Sequence, residues 1–144
     1  MQKPSRHRAR ILAFQTIYCR HKLGNNPSGE KYLLSESGLQ GKYKTFSNQL
    51  TEQTWNRLEE IDGIIQKHLK NWKQHRITDT LNALLRVGIG EMLHYKDTES
   101  KIIINEALEI CKRYVDEKAT KICNGVLHSA SRQIRVEEQT ENVR

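Results

Sequence analysis

Helical periodicity, carried almost without interruption, is what most limits how this chain can fold. The two prolines, Pro4 and Pro27, fall outside the long periodic segments, so neither breaks a helix interior. Apolar residues recur at Leu50, Leu58, Ile61, Ile65, Leu69 and Trp72, the spacing of one helix face. No segment alternates apolar and polar residues as a half-buried strand would. Ser5 is a good N-cap type for a first helix reaching about Leu23. "GNNPSG" (24–29) reads as a loop, "EKYLLSE" (30–36) as a short helix, and 37–45 as loose, with Gly38 and Gly41. Thr78 or Asp79 can cap "LNALLRVGIGEMLHY" (81–95), which is apolar around most of its circumference and therefore a buried helix. Gly88 and Gly90 lie inside it. Interior glycines cost a helix about 1 kcal/mol each, so they mark close helix–helix contacts. "KIIINEALEICKRYV" (101–115) forms another helix, and Asp116 can cap a last one, "EKATKICNGVLHSASRQI". The expected class is all-α, a compact helical bundle.

Charge is unevenly placed along this framework. Lys and Arg number 24 against 17 Asp and Glu, a formal net charge of +7. Residues 1–29 contain no acid, against Lys3, Arg6, Arg8, Arg10, Arg20 and Lys22. A second acid-free stretch, "QKHLKNWKQHR", covers 66–76. Clustered basic charge favours a polyanionic partner such as nucleic acid. No stretch approaches the ~20 apolar residues of a membrane span, and the N-terminus lacks the long apolar segment of a secretion signal. A cytoplasmic protein is expected. Cys19, Cys111 and Cys123 sit inside apolar helical patterns, which suits reduced, packed thiols.

The first helix opens with the wrong sign for its own dipole, since acids are the residues that stabilise a helix start. At ~100° per residue Arg6 and Arg10 lie about 40° apart, on a face that continues as Ala13 and Ile17. Arg8 falls on the other side, in line with Gln15 and Lys22. The expected geometry has the later turns packed in the bundle and the first turns projecting past it. Arginines presented there would suit phosphate oxygens, which they bind bidentately.

"RHRARILAFQTIY" (6–18), "LLRVGIGEML" (84–93), "INEALEICK" (104–112) and "NGVL" (124–127) resemble the bacterial transcription antitermination factor NusB family across nearly the whole chain, most weakly over 24–60. The resemblance implies one domain over residues 1–136, made of two small helical subdomains (about 1–76 and 77–136), and a flexible tail at 137–144. It implies binding of boxA-type single-stranded RNA together with the ribosomal protein NusE, within an antitermination complex of RNA polymerase, notably on ribosomal RNA operons. It implies no catalysis and no cofactor. The chain also resembles the N-terminal domain of some ribosomal RNA methyltransferases, whose catalytic domain would not fit in 144 residues.

By the family pattern, Lys3, Arg6, Arg8 and Arg10 match the RNA-contacting end. His7 stands where another Arg is frequent; a histidine carries less charge at neutral pH, which implies a weaker or pH-dependent grip. Lys118, Lys121 and Asn124 are expected near the RNA track in the last helix, and Tyr18 matches a tyrosine of the NusE contact. Leu81 and Asn82 replace a frequent charged pair, and Ile122 and Cys123 replace an aromatic and a valine.

Other residues carry plainer readings. Trp72, among Lys67, Lys70, Lys73 and Arg76, has the surroundings of a base-stacking residue, but its place at the end of an apolar stripe favours burial. Asn105 and Glu106 read as structural, bonding to backbone or to Arg86. Cys19 and His21 are too close in sequence to share a helix face, and Cys123 with His128 lacks further ligands at metal spacing. The competing reading of the chain is a helical protein–protein interaction module or homodimer without sequence-specific RNA binding.

Overall fold

The computed structural model describes residues 3–143, with side chains described through residue 136; the expected tail at 137–144 lies outside the fully described residues. The helices are α1 (Arg6–Leu23), α2 (Pro27–Ser37), α3 (Gly41–Asn56), α4 (Leu58–His68), α5 (Asp79–His94), α6 (Ser100–Ile110) and α7 (Thr120–Val143). A 3-10 turn, Gln74–Arg76, precedes α5; a π-helical turn, Cys111–Val115, and a 3-10 turn, Glu117–Ala119, lead from α6 into α7. No strand occurs among the described residues, and no described helix is long and apolar enough to cross a membrane.

The caps follow from local chemistry. The Ser5 hydroxyl accepts from the Arg8 backbone N–H at 3.2 Å, and Thr78 does the same for Leu81. Asp116 accepts from the Lys118 N–H at 3.0 Å and so starts the turn into α7. The two segments expected to be irregular are so only in part: residues 24–26 and 38–40 are, whereas Pro27 onward belongs to α2 and Gly41 onward to α3. Pro27 occupies the first turn of α2, where its missing N–H costs nothing, and the Asn26 side chain accepts from Gly29 N–H. The linker at 38–40 is short because Gly38 ends α2 in the left-handed conformation, and Leu39 is buried. The single helix expected over 48–72 is instead two, parted at Arg57.

α5 is the central element. Residues Leu81 to Met92 are all buried, and the helix packs on α1, α3, α4, α6 and α7. The two glycines do what their helix cost suggests. A Cβ at Gly90 would lie 2.1 Å from Thr54 Oγ1 and 3.0 Å from Thr54 Cβ on α3; one at Gly88 would lie 3.1 Å from Leu127 on α7. Further ion pairs tie neighbouring elements: Arg20 of α1 to Glu30 of α2 and Glu52 of α3, Lys22 to Asp79, and the buried Arg86 of α5 to Asp62 of α4. Arg135 donates to Ser100 Oγ and to the Lys96 and Thr98 carbonyls, pinning the α5–α6 turn to α7.

One ion pair lies inside this core. Arg10 is 5% exposed and Glu91 1%. Arg10 Nε and Nη2 donate to the two Glu91 carboxylate oxygens, each at 2.7 Å, the planar two-bond geometry that arginine favours. Burial by itself would weaken the Arg10 charge; the bonds to Glu91 and the charges of Glu91 and Glu106 more than offset it, so its pKa is raised.

The pair and the glycine contact each set a stability expectation. Arg10→Met lowers unfolding free energy by about 3–5 kcal/mol because Glu91 is left buried without its cation, whereas Arg10→Met with Glu91→Leu recovers most of the loss; urea denaturation measures both. Gly90→Ala gains about 1 kcal/mol of helix propensity but loses about 1–3 kcal/mol to overlap with Thr54. Thr54→Ala restores part of that, since Thr54 Oγ1 makes no hydrogen bond among the described residues; a thermal-melt double-mutant cycle reads the coupling.

Candidate nucleic-acid interface

Three consecutive residues at the start of α1 point to three different neighbours. Arg6 is exposed, with its guanidinium 4.6 Å from the centroid of the Phe46 ring on α3. The His7 Nδ1–H donates to Glu106 of α6 and lies 3.9 Å from Glu109. Arg8 Nη2 donates to the Ser37 carbonyl at the end of α2, where the helix dipole favours a cation. Lys3, just outside the helix, is exposed.

This corrects the expectation of a projecting, all-round basic end. Ala9 is fully buried and Arg10 nearly so, because Glu91 draws the first turns of α1 onto α5. Arg6 and Arg10 do share a face, as their spacing requires: both guanidinium groups stand over Phe46, Arg10 at 5.6 Å. Arg10 is not presented to solvent, so it positions the helix rather than offering a phosphate contact. Arg8 and His7 keep partial exposure while bonded within the fold.

A second basic set gathers where α6 passes into α7. Lys118 lies in the 3-10 turn rather than in the last helix itself, while Lys121 and Asn124 lie on α7, three residues apart and so on one face. All three are exposed. Trp72, expected in the core, is 51% exposed instead. Helix α4 stops at His68, so Leu69 closes its apolar stripe and Trp72 falls beyond it. Among the described residues, Lys3, Arg6, Lys70, Arg76, Lys118 and Lys121 make no ion pair.

The two basic sets are joined by the π-helical turn. Tyr114 lines one groove with Arg8, and Arg113 lies 5.4 Å over its ring. The next residues, Val115 and Asp116, line another groove with Trp72, Arg76 and Lys118. The widened turn, closed by Asp116 N–H to the Cys111 carbonyl at 3.0 Å, thus carries the surface from the α1 start to the α7 start.

On the adjoining side, Tyr18 lines an open apolar groove with Phe14, Leu23, Tyr32, Leu33 and Tyr114. Tyr18 is half-buried, whereas Leu23 and Tyr32 are more than half exposed. Leu81 and Asn82 are buried, and Asn82 Oδ1 accepts from Gln74 Nε2 at 2.9 Å. Glu106 bonds to His7 and lies 3.6 Å from Arg10 rather than meeting Arg86, which pairs with Asp62; Asn105 is exposed. His7, Glu106 and Glu109 are one set of potential metal ligands within 4.8 Å of one another, but the Arg10 cation already stands against Glu106.

The residue that sequence reasoning missed is Glu91. Its signal was present: it is the one carboxylate in the apolar run 81–93, and a buried acid requires a cation. The acid-free first helix was the place to look for it.

Comparison with known proteins agrees with this architecture. The NusB family pattern matches residues 7–132. The transcription antitermination protein NusB of a Nitratiruptor species is 34% identical over 134 residues, covering 91% of this chain and 94% of the relative. NusB from T. maritima superposes with a TM-score of 0.79 at 26% identity, covering 91% of this chain and 93% of that one. A crystal structure of the antitermination factors NusB and NusE in complex with dsRNA aligns with a TM-score of 0.79 at 30% identity, over 89% of this chain and 96% of that one. The fold, the length covered and the sequence identity together place this chain in the NusB family of transcription antitermination proteins.

Proposed function

We propose that the protein binds boxA-type single-stranded RNA together with the ribosomal protein NusE, and that the assembly promotes read-through by RNA polymerase, notably on ribosomal RNA operons. One observation carries this reading: in a member of a non-enzymatic antitermination family, Lys118 and Lys121 stand exposed beside Asn124 with no ion pair among the described residues. Free cations on a surface favour phosphate, and their neutralisation releases counterions.

Lys3, Arg6, Lys118 and Lys121 supply the phosphate grip. Arg8 and His7 border it, each held by a bond inside the fold, and Arg10 acts by fixing the helix. Phosphate contacts carry no sequence information, so choice of RNA comes from base contacts, to which Asn124 contributes amide donors and an acceptor. The apolar groove at Tyr18 is the face for NusE. A NusB–NusE pair in complex with dsRNA is known for the structural relative, and an exposed aromatic-rich groove suits a protein partner. The groove also favours a second reading, a homodimer that covers Tyr18, Leu23 and Tyr32.

The deciding experiment is fluorescence anisotropy of labelled boxA-type RNA, with and without NusE, beside a scrambled strand and a duplex of equal length. Preference for the boxA strand, strengthened by NusE, is expected. Equal, weak binding to all three with no NusE effect would leave only a basic surface and favour the homodimer.

Two substitutions test the roles. Lys121→Ala and Arg6→Ala each reduce the slope of log affinity against log salt by about 0.7, the value for one phosphate on a single strand. Arg10→Ala changes folding stability instead. Tyr18→Ala weakens NusE recruitment several-fold and leaves the salt slope for RNA alone unchanged; co-sedimentation and the same anisotropy titration measure these.

A further inference from the structure

The exposure of Trp72 needs an explanation, because an indole is a large apolar surface to leave in water. Its surroundings are chemically specific. Trp72 forms the wall between two adjoining grooves, and Lys118 and Ile122 line both of them. Arg76 opens on one side, Lys70 and Lys121 on the other. None of these four cations makes an ion pair among the described residues. Among the described residues Asp116 is the one carboxylate that lines either groove, and its side chain caps the turn by accepting from the Lys118 N–H.

The segment that carries the ring is fastened in place. Gln66 Nε2 donates to the Trp72 carbonyl at 3.4 Å, while Gln66 Oε1 accepts from the Gln74 N–H at 2.9 Å. Gln74 Nε2 in turn donates to Asp62 and Asn82, each at 2.9 Å. Leu69 and Ile77 are buried on either side. The indole is therefore held out by a bonded loop whose two ends are anchored in the core.

The geometry points to Trp72 as a base-stacking platform for single-stranded RNA, set between lysines that hold the flanking phosphates. A flat aromatic ring among unpaired cations is complementary to a strand with unstacked bases. Every base offers a π-face, so the contact tolerates sequence. A duplex would not satisfy it, since its bases are already stacked. The inference rests on the RNA-binding reading above and adds to it a residue, a contact type and a strand form.

The test uses the full chain. Trp55 and Trp72 are its two tryptophans, so Trp55→Phe leaves Trp72 as the sole indole reporter. Titration with boxA-type single-stranded RNA is expected to quench it, and a duplex of equal length is not. Trp72→Ala lowers single-strand affinity about tenfold with an unchanged salt slope, because stacking releases no counterion. Trp72→Phe retains most of the affinity. Lys118→Ala gives the converse, a slope reduced by about 0.7. Unaltered affinity in Trp72→Ala, with no quenching in Trp55→Phe, would overturn the inference while leaving RNA binding intact. Should boxA and scrambled strands bind alike, the boxA reading fails; quenching by an oligouridylate would still support stacking, and no quenching by any strand would overturn it. If Trp72→Ala shows a lowered melting temperature, the quenching arm and Trp72→Phe decide.

Discussion

The Arg10–Glu91 pair governs how the rest of the molecule is arranged. A carboxylate in the middle of the most buried helix is tolerable only with a cation bonded to both its oxygens, and the first helix supplies it. That one requirement fixes both the rotation of α1 about its axis and its position along α5. With Arg10 turned inward, Arg6 lies along Phe46, His7 faces Glu106, and Arg8 reaches the end of α2. The basic start of the chain is thus a set of anchored side chains, and its outward surface is narrower than its charge suggests.

What remains available for a polyanion lies in two patches connected by the π-helical turn. Lys3 and the outer edge of Arg6 form one; Lys118, Lys121 and the cations around Trp72 form the other. Tyr114 belongs to both the groove beside Arg8 and the apolar groove of Tyr18. Gln15 and Leu33 line both grooves as well, so under the proposed roles the RNA and protein surfaces adjoin along a shared edge, a physical route for a partner on the apolar face to extend or stiffen the RNA surface.

Much of this was legible in the sequence, and the exceptions share a cause. Ser5, Thr78 and Asp116 announced helix starts because capping is local chemistry. Gly88 and Gly90 announced close packing because their cost within a helix demands compensation. Composition placed the breaks at 24–26 and 38–40 but made them too long, because Pro27 and Gly38 punctuate helices rather than replace them. Periodicity favours burial of Trp72 because it extends a stripe without marking where the helix ends. The roles within the arginine cluster were illegible for the same reason: charge is visible in a sequence, but Arg10 and Arg6 differ only by what stands opposite them, and Glu91 is 81 positions away.

NMR titration of isotope-labelled protein with boxA-type single-stranded RNA tests the division between anchored and available cations most directly. Perturbed signals are predicted at Lys3, Arg6, Lys118 and Lys121 and at the Trp72 indole N–H, with Leu23 and Tyr32 unmoved and the Arg10 guanidinium signals retained in their bonded state. Perturbation centred on Tyr18, Leu23 and Tyr32, with the basic residues and Trp72 unchanged, would contradict it.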